Sequence, residues 1–241
     1  MAVNPGTSTA GAKASRATAP ALFETIDPFH QQLARCQSLE ELAAFARSCQ
    51  RCRLRGGCRQ VVFGEGDPHA QLLIIGEGPG ATEDELGRPF VGLAGQLLDR
   101  MLAATGFARD EVYITNTVKC RPPGNRVPAP DEIATCFPYL EAQIHWIRPK
   151  VILCLGSPAL QTMVGPTARI TRDHGKWFNW RGIPVIATFH PAALLRDPGK
   201  KPLAWQDLQE MRRRFLELGG SMRGRVGGHS GAGERAGTNS G

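Results

Sequence analysis

The feature that most limits what this chain can fold into is an apolar run that breaks into glycine. Leu72-Leu73-Ile74-Ile75 leads into Gly76-Glu77-Gly78-Pro79-Gly80, an acidic pair follows at Glu83-Asp84, and Phe90 stands isolated before a stretch of helical spacing. That order reads as strand, tight loop, helix. In parallel α/β sheets the loops that leave the C-terminal strand ends converge on one crevice, and ligands bind there. Chemistry is therefore expected at this loop.

The rest of the chain repeats the pattern. Ser38-Leu39-Glu40-Glu41 has the form of a capping box, so a short helix is expected ahead of Cys49. Residues 94–105 carry Leu97, Leu98, Met101 and Leu102 at helical spacing, and residues 111–115 alternate as a strand that delivers Asn116. A Pro/Gly-rich loop follows Cys120, and a helix is expected from Pro130 to about Ile147. Residues 150–155 form an apolar strand in which Cys154 is a small core residue. Residues 176–180 and 183–188 form a β-rich pair about Arg181-Gly182, leading to Phe189-His190-Pro191, and residues 205–218 a final amphipathic helix. Strands alternate with helices without a repeat, which predicts a three-layer α/β/α sandwich around a largely parallel central sheet. The domain is expected over residues 26–218. Residues 1–25 and 219–241 lack large apolar side chains and are expected to be disordered tails.

No apolar run approaches the ~20 residues of a membrane span. The N-terminus also lacks the order of a secretory signal, so a cytoplasmic protein is expected, and seven cysteines in a reducing compartment point to metal or chemistry rather than disulfides. The net charge of +7 suits a polyanionic partner.

If the sheet is parallel, Glu77, Asn116 and His190 share one edge just beyond their strands. A phosphate cradle is disfavoured there, because the glycine loop matches neither the P-loop nor the dinucleotide pattern and puts a carboxylate where a phosphate would sit. Small residues around an acid suit close approach of a planar ligand. Cys49 and Cys52 form a C-x₂-C, and Cys120 and Cys136 are fifteen residues apart in the sense C-x₁₅-C. Four such cysteines can hold zinc or an iron-sulfur cluster, and spacing does not choose between them. Cys58 is a possible substitute ligand, but both it and Cys36 are expected to be free thiols.

Three motifs together resemble the family 4 uracil-DNA glycosylases: GEGPGATEDELGRPFVGLAGQ at 76–96, ITNTVKCRPPGNR at 114–126 and FHPAALLRDP at 189–198. The likeness covers residues 49–218. It implies a glycosylase-like fold, a monomer acting on uracil-containing DNA, and a four-iron, four-sulfur cluster on Cys49, Cys52, Cys120 and Cys136. It further implies a monofunctional enzyme that flips deoxyuridine out of the helix, hydrolyses the N-glycosidic bond and leaves an abasic site. Phe90 would stack on the base, Asn116 would read its O4 and N3 edge, and Gly78 would bring the loop backbone close. His190 would stabilise charge at O2, and Glu77 and Glu83 would position water or stabilise the sugar cation. Leu194 and Leu195 would wedge into the duplex, with Arg196 on phosphate. Two departures stand out. Ala81 occupies a position where relatives often carry an acid, and the short loop 120–126 lacks the histidine-bearing insert of covalent uracil-binding proteins. A protein that traps uracil sites without turnover is the competing expectation, and an iron-sulfur electron carrier is a third.

Overall fold

The computed structural model describes residues 27–223. Its elements are α1 (Pro28–Arg35), α2 (Leu39–Arg47), β1 (Glu65–Gly66), β2 (Leu72–Gly76), α3 (Ala81–Leu86), α4 (Leu93–Thr105), β3 (Tyr113–Asn116), α5 (Pro130–Ile147), β4 (Val151–Leu155), α6 (Ser157–Val164), α7 (Ile170–Asp173), β5 (Trp177–Trp180), β6 (Ile183–Thr188), α8 (Pro191–Arg196) and α9 (Lys201–Glu217). The sheet order is β1-β3-β2-β4-β6-β5. Strands β3, β2, β4 and β6 run parallel, and the edge strands β1 and β5 are antiparallel to their neighbours.

Successive side chains of a strand point to opposite faces, so each central strand feeds two cores. Leu73, Ile75, Ile152, Cys154 and Val185 pack with Leu42, Leu140, Ile144 and Leu160 of α2, α5 and α6. Leu72, Ile74, Ile114, Leu153 and Ile186 pack with Leu98, Leu102, Leu208 and Phe215 of α4 and α9. The result is the expected α/β/α sandwich.

Local chemistry moves several boundaries. The Ser38 hydroxyl caps α2 by accepting the Glu41 N–H at 3.2 Å, as expected, but the Glu41 carboxylate turns back to the Gln37 N–H at 2.8 Å rather than to Ser38. Strand β3 starts two residues late because the Glu111 carboxylate accepts the Ala108 N–H at 2.7 Å and closes a 3-10 turn. The folded unit also continues beyond residue 218. The Ser221 N–H donates to Gln71 Oε1 at 2.9 Å, Met222 packs into the α4–α9 core, and Arg223 donates to the Asp110 carbonyl at 3.0 Å. Residues 219–223 are thus part of the domain. The remainder of both expected tails, residues 1–26 and 224–241, lies outside the described residues. Among the described residues no helix is long and apolar enough to cross a membrane.

Candidate active site

Because Gly76 of β2 pairs with Asn116 of β3 and Leu155 of β4 with Thr188 of β6, the loops after β2, β3 and β6 leave one edge of the sheet. They enclose an open pocket of about 410 Å³, lined by Glu77, Gly78, Glu83, Phe90, Asn116, His190 and Arg196, with Arg126 and Val127 also on its wall. The sequence-predicted group at the strand ends is therefore brought together.

Asn116 is 1% exposed, and its Oδ1 has no hydrogen-bond partner among the described residues. A buried polar atom without a partner costs free energy, roughly 1–3 kcal/mol, unless a ligand supplies the missing bond. Gly76 makes room for it: a Cβ there would drive into Asn116 Oδ1 and the Phe90 ring. Phe90 is buried in a left-handed backbone conformation with φ 50°, costly for an aromatic residue. Arg109 holds that turn, donating to the carbonyls of Pro89 at 2.6 Å and Phe90 at 3.1 Å while pairing with Asp99 at 2.7 Å. Gly95 allows the close approach from the other side, since its Cβ would meet the Phe90 carbonyl. The Phe90 and His190 rings lie 5.5 Å apart, tilted by 33°.

His190 begins α8, and its Nδ1 accepts the Ala192 N–H at 3.2 Å. That bond needs a lone pair on Nδ1, so in the neutral ring the proton sits on Nε2. Burial, with Arg196 adding to it and Glu83 opposing, holds the His190 pKa down to about 4. The ring is a neutral donor at physiological pH.

The acidic residues divide. Burial raises the pKa of Glu77, with Arg196 partly offsetting it, and its carboxylate makes no hydrogen bond to the described residues. Its carbonyl accepts from Thr117 Oγ1 at 2.5 Å, which fixes the loop. Glu83 is committed to the main chain: its two oxygens accept N–H groups of Gly80 at 3.1 Å, Val91 at 2.9 Å and Gly92 at 2.8 Å. It staples the glycine loop to the segment carrying Phe90. Asp84 is buried and accepts the Arg59 N–H at 2.9 Å, tying α3 to the segment after Cys58.

On α8 the two leucines part company. Leu194 is 1% exposed and packs with Leu97, Phe189 and Ala204, so the expectation that it contacts DNA is corrected: it is a core residue. Leu195, one residue on and rotated by a helical step, is 42% exposed beside Arg196.

Cys49, Cys52, Cys120 and Cys136 line one enclosed apolar cavity with Leu54, Val61 and Tyr139. Among the described residues no three His, Cys, Asp or Glu side chains converge as a single metal ion requires. Four soft thiol donors around one apolar cavity suit either zinc or an iron-sulfur cluster. Cys58 is next to Cys120 but turned to the Arg55 carbonyl at 3.7 Å, and Cys36 to that of Gln32 at 3.5 Å.

Three positioning residues escaped the sequence reading. Arg109 is one. Glu132, 1% exposed, accepts from Arg53 at 2.6 Å, Arg126 at 2.6 Å and the Ala129 N–H at 2.8 Å, joining the C-x₂-C arm, the pocket wall and the start of α5. Those bonds, Arg126 first, hold its pKa down to about 2. Lys119, 2% exposed beside Cys120, is the third.

The chain matches the model of the uracil DNA glycosylase superfamily over residues 63–209. It is 46% identical over 161 residues to the type-4 uracil-DNA glycosylase of Thermotoga maritima, covering 66% of this chain and 84% of that one. It is 42% identical over 184 residues to the type-4 uracil-DNA glycosylase of Sulfurisphaera tokodaii, with 73% and 84% covered. A type-5 uracil-DNA glycosylase of Pyrobaculum aerophilum is 32% identical over 166 residues, with 62% and 72% covered.

Proposed function

The chain belongs to the uracil-DNA glycosylase superfamily, and on that premise we propose that it hydrolyses the N-glycosidic bond of deoxyuridine flipped out of DNA, releasing uracil and leaving an abasic site. The observation that carries this reading is the orphaned Oδ1 of Asn116 in a pocket it shares with Phe90 and a neutral, Nε2-protonated His190.

Extrusion of the nucleotide costs about a few kcal/mol, and stacking of the base on Phe90 offsets roughly 1–3 kcal/mol of that. Asn116 Oδ1 accepts from uracil N3–H while its amide donates to O4; cytosine offers an acceptor and a donor at those positions and is rejected. As the bond breaks, negative charge gathers on the ring, and the His190 Nε2–H is the donor for O2, with Gly78 bringing the loop backbone alongside. A neutral donor suits this, since its proton is not lost to a solvent equilibrium near pH 7. The sugar becomes cation-like, and Glu77, whose carboxylate is not spent on protein partners, stabilises it or orients the attacking water. Glu83 acts by holding the loop in place. Arg196 contacts phosphate, and Leu195 fills the space the flipped base vacates.

Cys49, Cys52, Cys120 and Cys136 would hold a four-iron, four-sulfur cluster. When bound, the cluster supplies a cross-link between the arm at 49–52 and the loop and helix carrying residues 120–136. Iron and sulfide analysis of the purified protein tests this: Cys136→Ser is expected to lose iron, and Cys36→Ser to retain it.

Uracil release from U:G, U:A and single-stranded oligonucleotides tests the activity. Many uracils released per protein, with alkali-labile strands, are expected. A single-stoichiometry adduct that survives denaturation would replace the enzyme by a trap.

A further inference from the structure

Lys119 follows the strand that ends in Asn116 and precedes Cys120. Its ammonium donates to the Asn116 carbonyl at 2.8 Å, to Thr115 Oγ1 at 2.6 Å and to Gln143 Oε1 at 2.6 Å. Gln143 in turn donates to the Phe63 carbonyl at 2.9 Å, and Thr115 Oγ1 to the same carbonyl at 2.8 Å. The network is buried and its acceptors around the ammonium are neutral. Among the described residues no carboxylate lies within ion-pair distance of Lys119. A buried lysine head group is costly unless its donors are satisfied, and here three neutral acceptors take them.

The residue also borders the neighbouring cavity. Lys119 lines the space bounded by the four cysteines, and its main-chain N–H donates to Cys136 Sγ at 3.3 Å. The Val62 N–H donates to the Lys119 carbonyl at 2.7 Å, which clamps the residue between the two sites. One residue therefore touches the sulfur cavity through its backbone and the base reader through its side chain.

We propose that Lys119 is a positioning residue: its side chain fixes the uracil-reading Asn116 while its backbone is anchored at the cysteine cavity, which links the base reader to that cavity. The inference rests on the glycosylase reading above. Deleting the ammonium frees the Asn116 carbonyl and lets the amide on the other side of that residue shift against a bound base.

Full-length wild type and Lys119→Met, as purified, test this. With iron content and the circular-dichroism spectrum unchanged, Lys119→Met is expected to lose roughly tenfold or more in kcat on a uracil oligonucleotide, a loss confined to the transition state. Binding to an abasic-site duplex should stay near wild type. Wild-type kcat would overturn the positioning role, and an equal loss of abasic-site binding would reduce it to a structural one. If Lys119→Met fails to fold, Thr115→Val removes one acceptor and keeps the lysine. A lower kcat is then expected, and an unchanged kcat overturns the clamp. Failure of wild type itself to release uracil, or to contain iron, would sink the glycosylase or cluster reading instead.

Discussion

Nδ1 of His190 accepts the main-chain N–H of Ala192, and that bond fixes which ring nitrogen carries the proton facing the pocket. A pH prediction follows with a definite sign. The folded-state pKa is held near 4, below the ordinary 6.5, so between those values the unfolded chain takes up a proton that the folded chain does not. Stability is therefore lost as pH falls from about 6.5 towards 4. His190→Ala is expected to flatten this part of the Tm profile and to slow uracil release by ~100-fold or more at pH 7, with DNA binding nearly kept. A wild-type slope of Tm against pH in the variant would refute the assignment.

The acid limb of kcat/KM should belong to Glu77 rather than His190. Burial raises the Glu77 pKa above its ordinary 4.5, so protonation begins at higher pH than for a free carboxylate. Wild type is expected to lose activity on the acid side with a midpoint above 4.5, and Glu77→Gln to be slow with that limb abolished. Retention of the limb in Glu77→Gln would assign it elsewhere.

Asn116→Asp keeps the shape of the amide and replaces its donor by an oxygen. Loss of the O4 contact at a fully buried position should lower uracil excision by about 10–100-fold, the equivalent of roughly 1–3 kcal/mol, and narrow the ratio of uracil to cytosine excision. Paired rate measurements on uracil and cytosine oligonucleotides decide it; an unchanged ratio removes Asn116 from base reading.

Adjacent leucines on α8 give a direct contrast. Leu194→Ala empties a packed core site and should cost roughly 2–5 kcal/mol of stability. Leu195→Ala, at an exposed position, should leave Tm within a few degrees but reduce excision from duplex DNA more than from single strands, where no helix needs to be filled. Equal losses on both substrates would exclude the wedge.

That contrast shows where the sequence was legible. The β-rich runs of β2, β3 and β6 and their glycine, asparagine and histidine exits set the strand ends, because such runs and their abrupt stops are local signals. Which leucine of a short helix faces the core depends on where the helix begins, and a one-residue error exchanges core for surface. Lys119 was invisible for another reason. A lysine reads as exposed unless its acceptors are known, and those come from β3 and α5, elements brought together only by the fold. The same holds for the partners of Arg109 and Glu132. Strand order, with β2 between β3 and β4, likewise rests on pairing that no single segment encodes.

Glu83 is the sharpest case of a residue whose type was legible and whose work was not. As one of two neighbouring acids beside a pocket, it was expected to share the water or cation role, yet both its oxygens are taken by the N–H groups of Gly80, Val91 and Gly92. Charge-assisted bonds of this kind contribute about 1.5–3 kcal/mol each at most, and here they bind the glycine loop to the turn that carries the strained Phe90. Glu83→Gln retains acceptor capacity through its carbonyl but loses one of the two oxygens and the charge. Glu83→Ala loses all three bonds. If Glu83 is a staple, Tm and KM should worsen in the order wild type, Gln, Ala, the acid limb of the pH profile should stay where Glu77 puts it, and tryptic nicking of residues 88–92 should rise in parallel. If it activates water, kcat should collapse equally in both variants with Tm little changed. Melting curves and full kinetics on the pair distinguish the two roles.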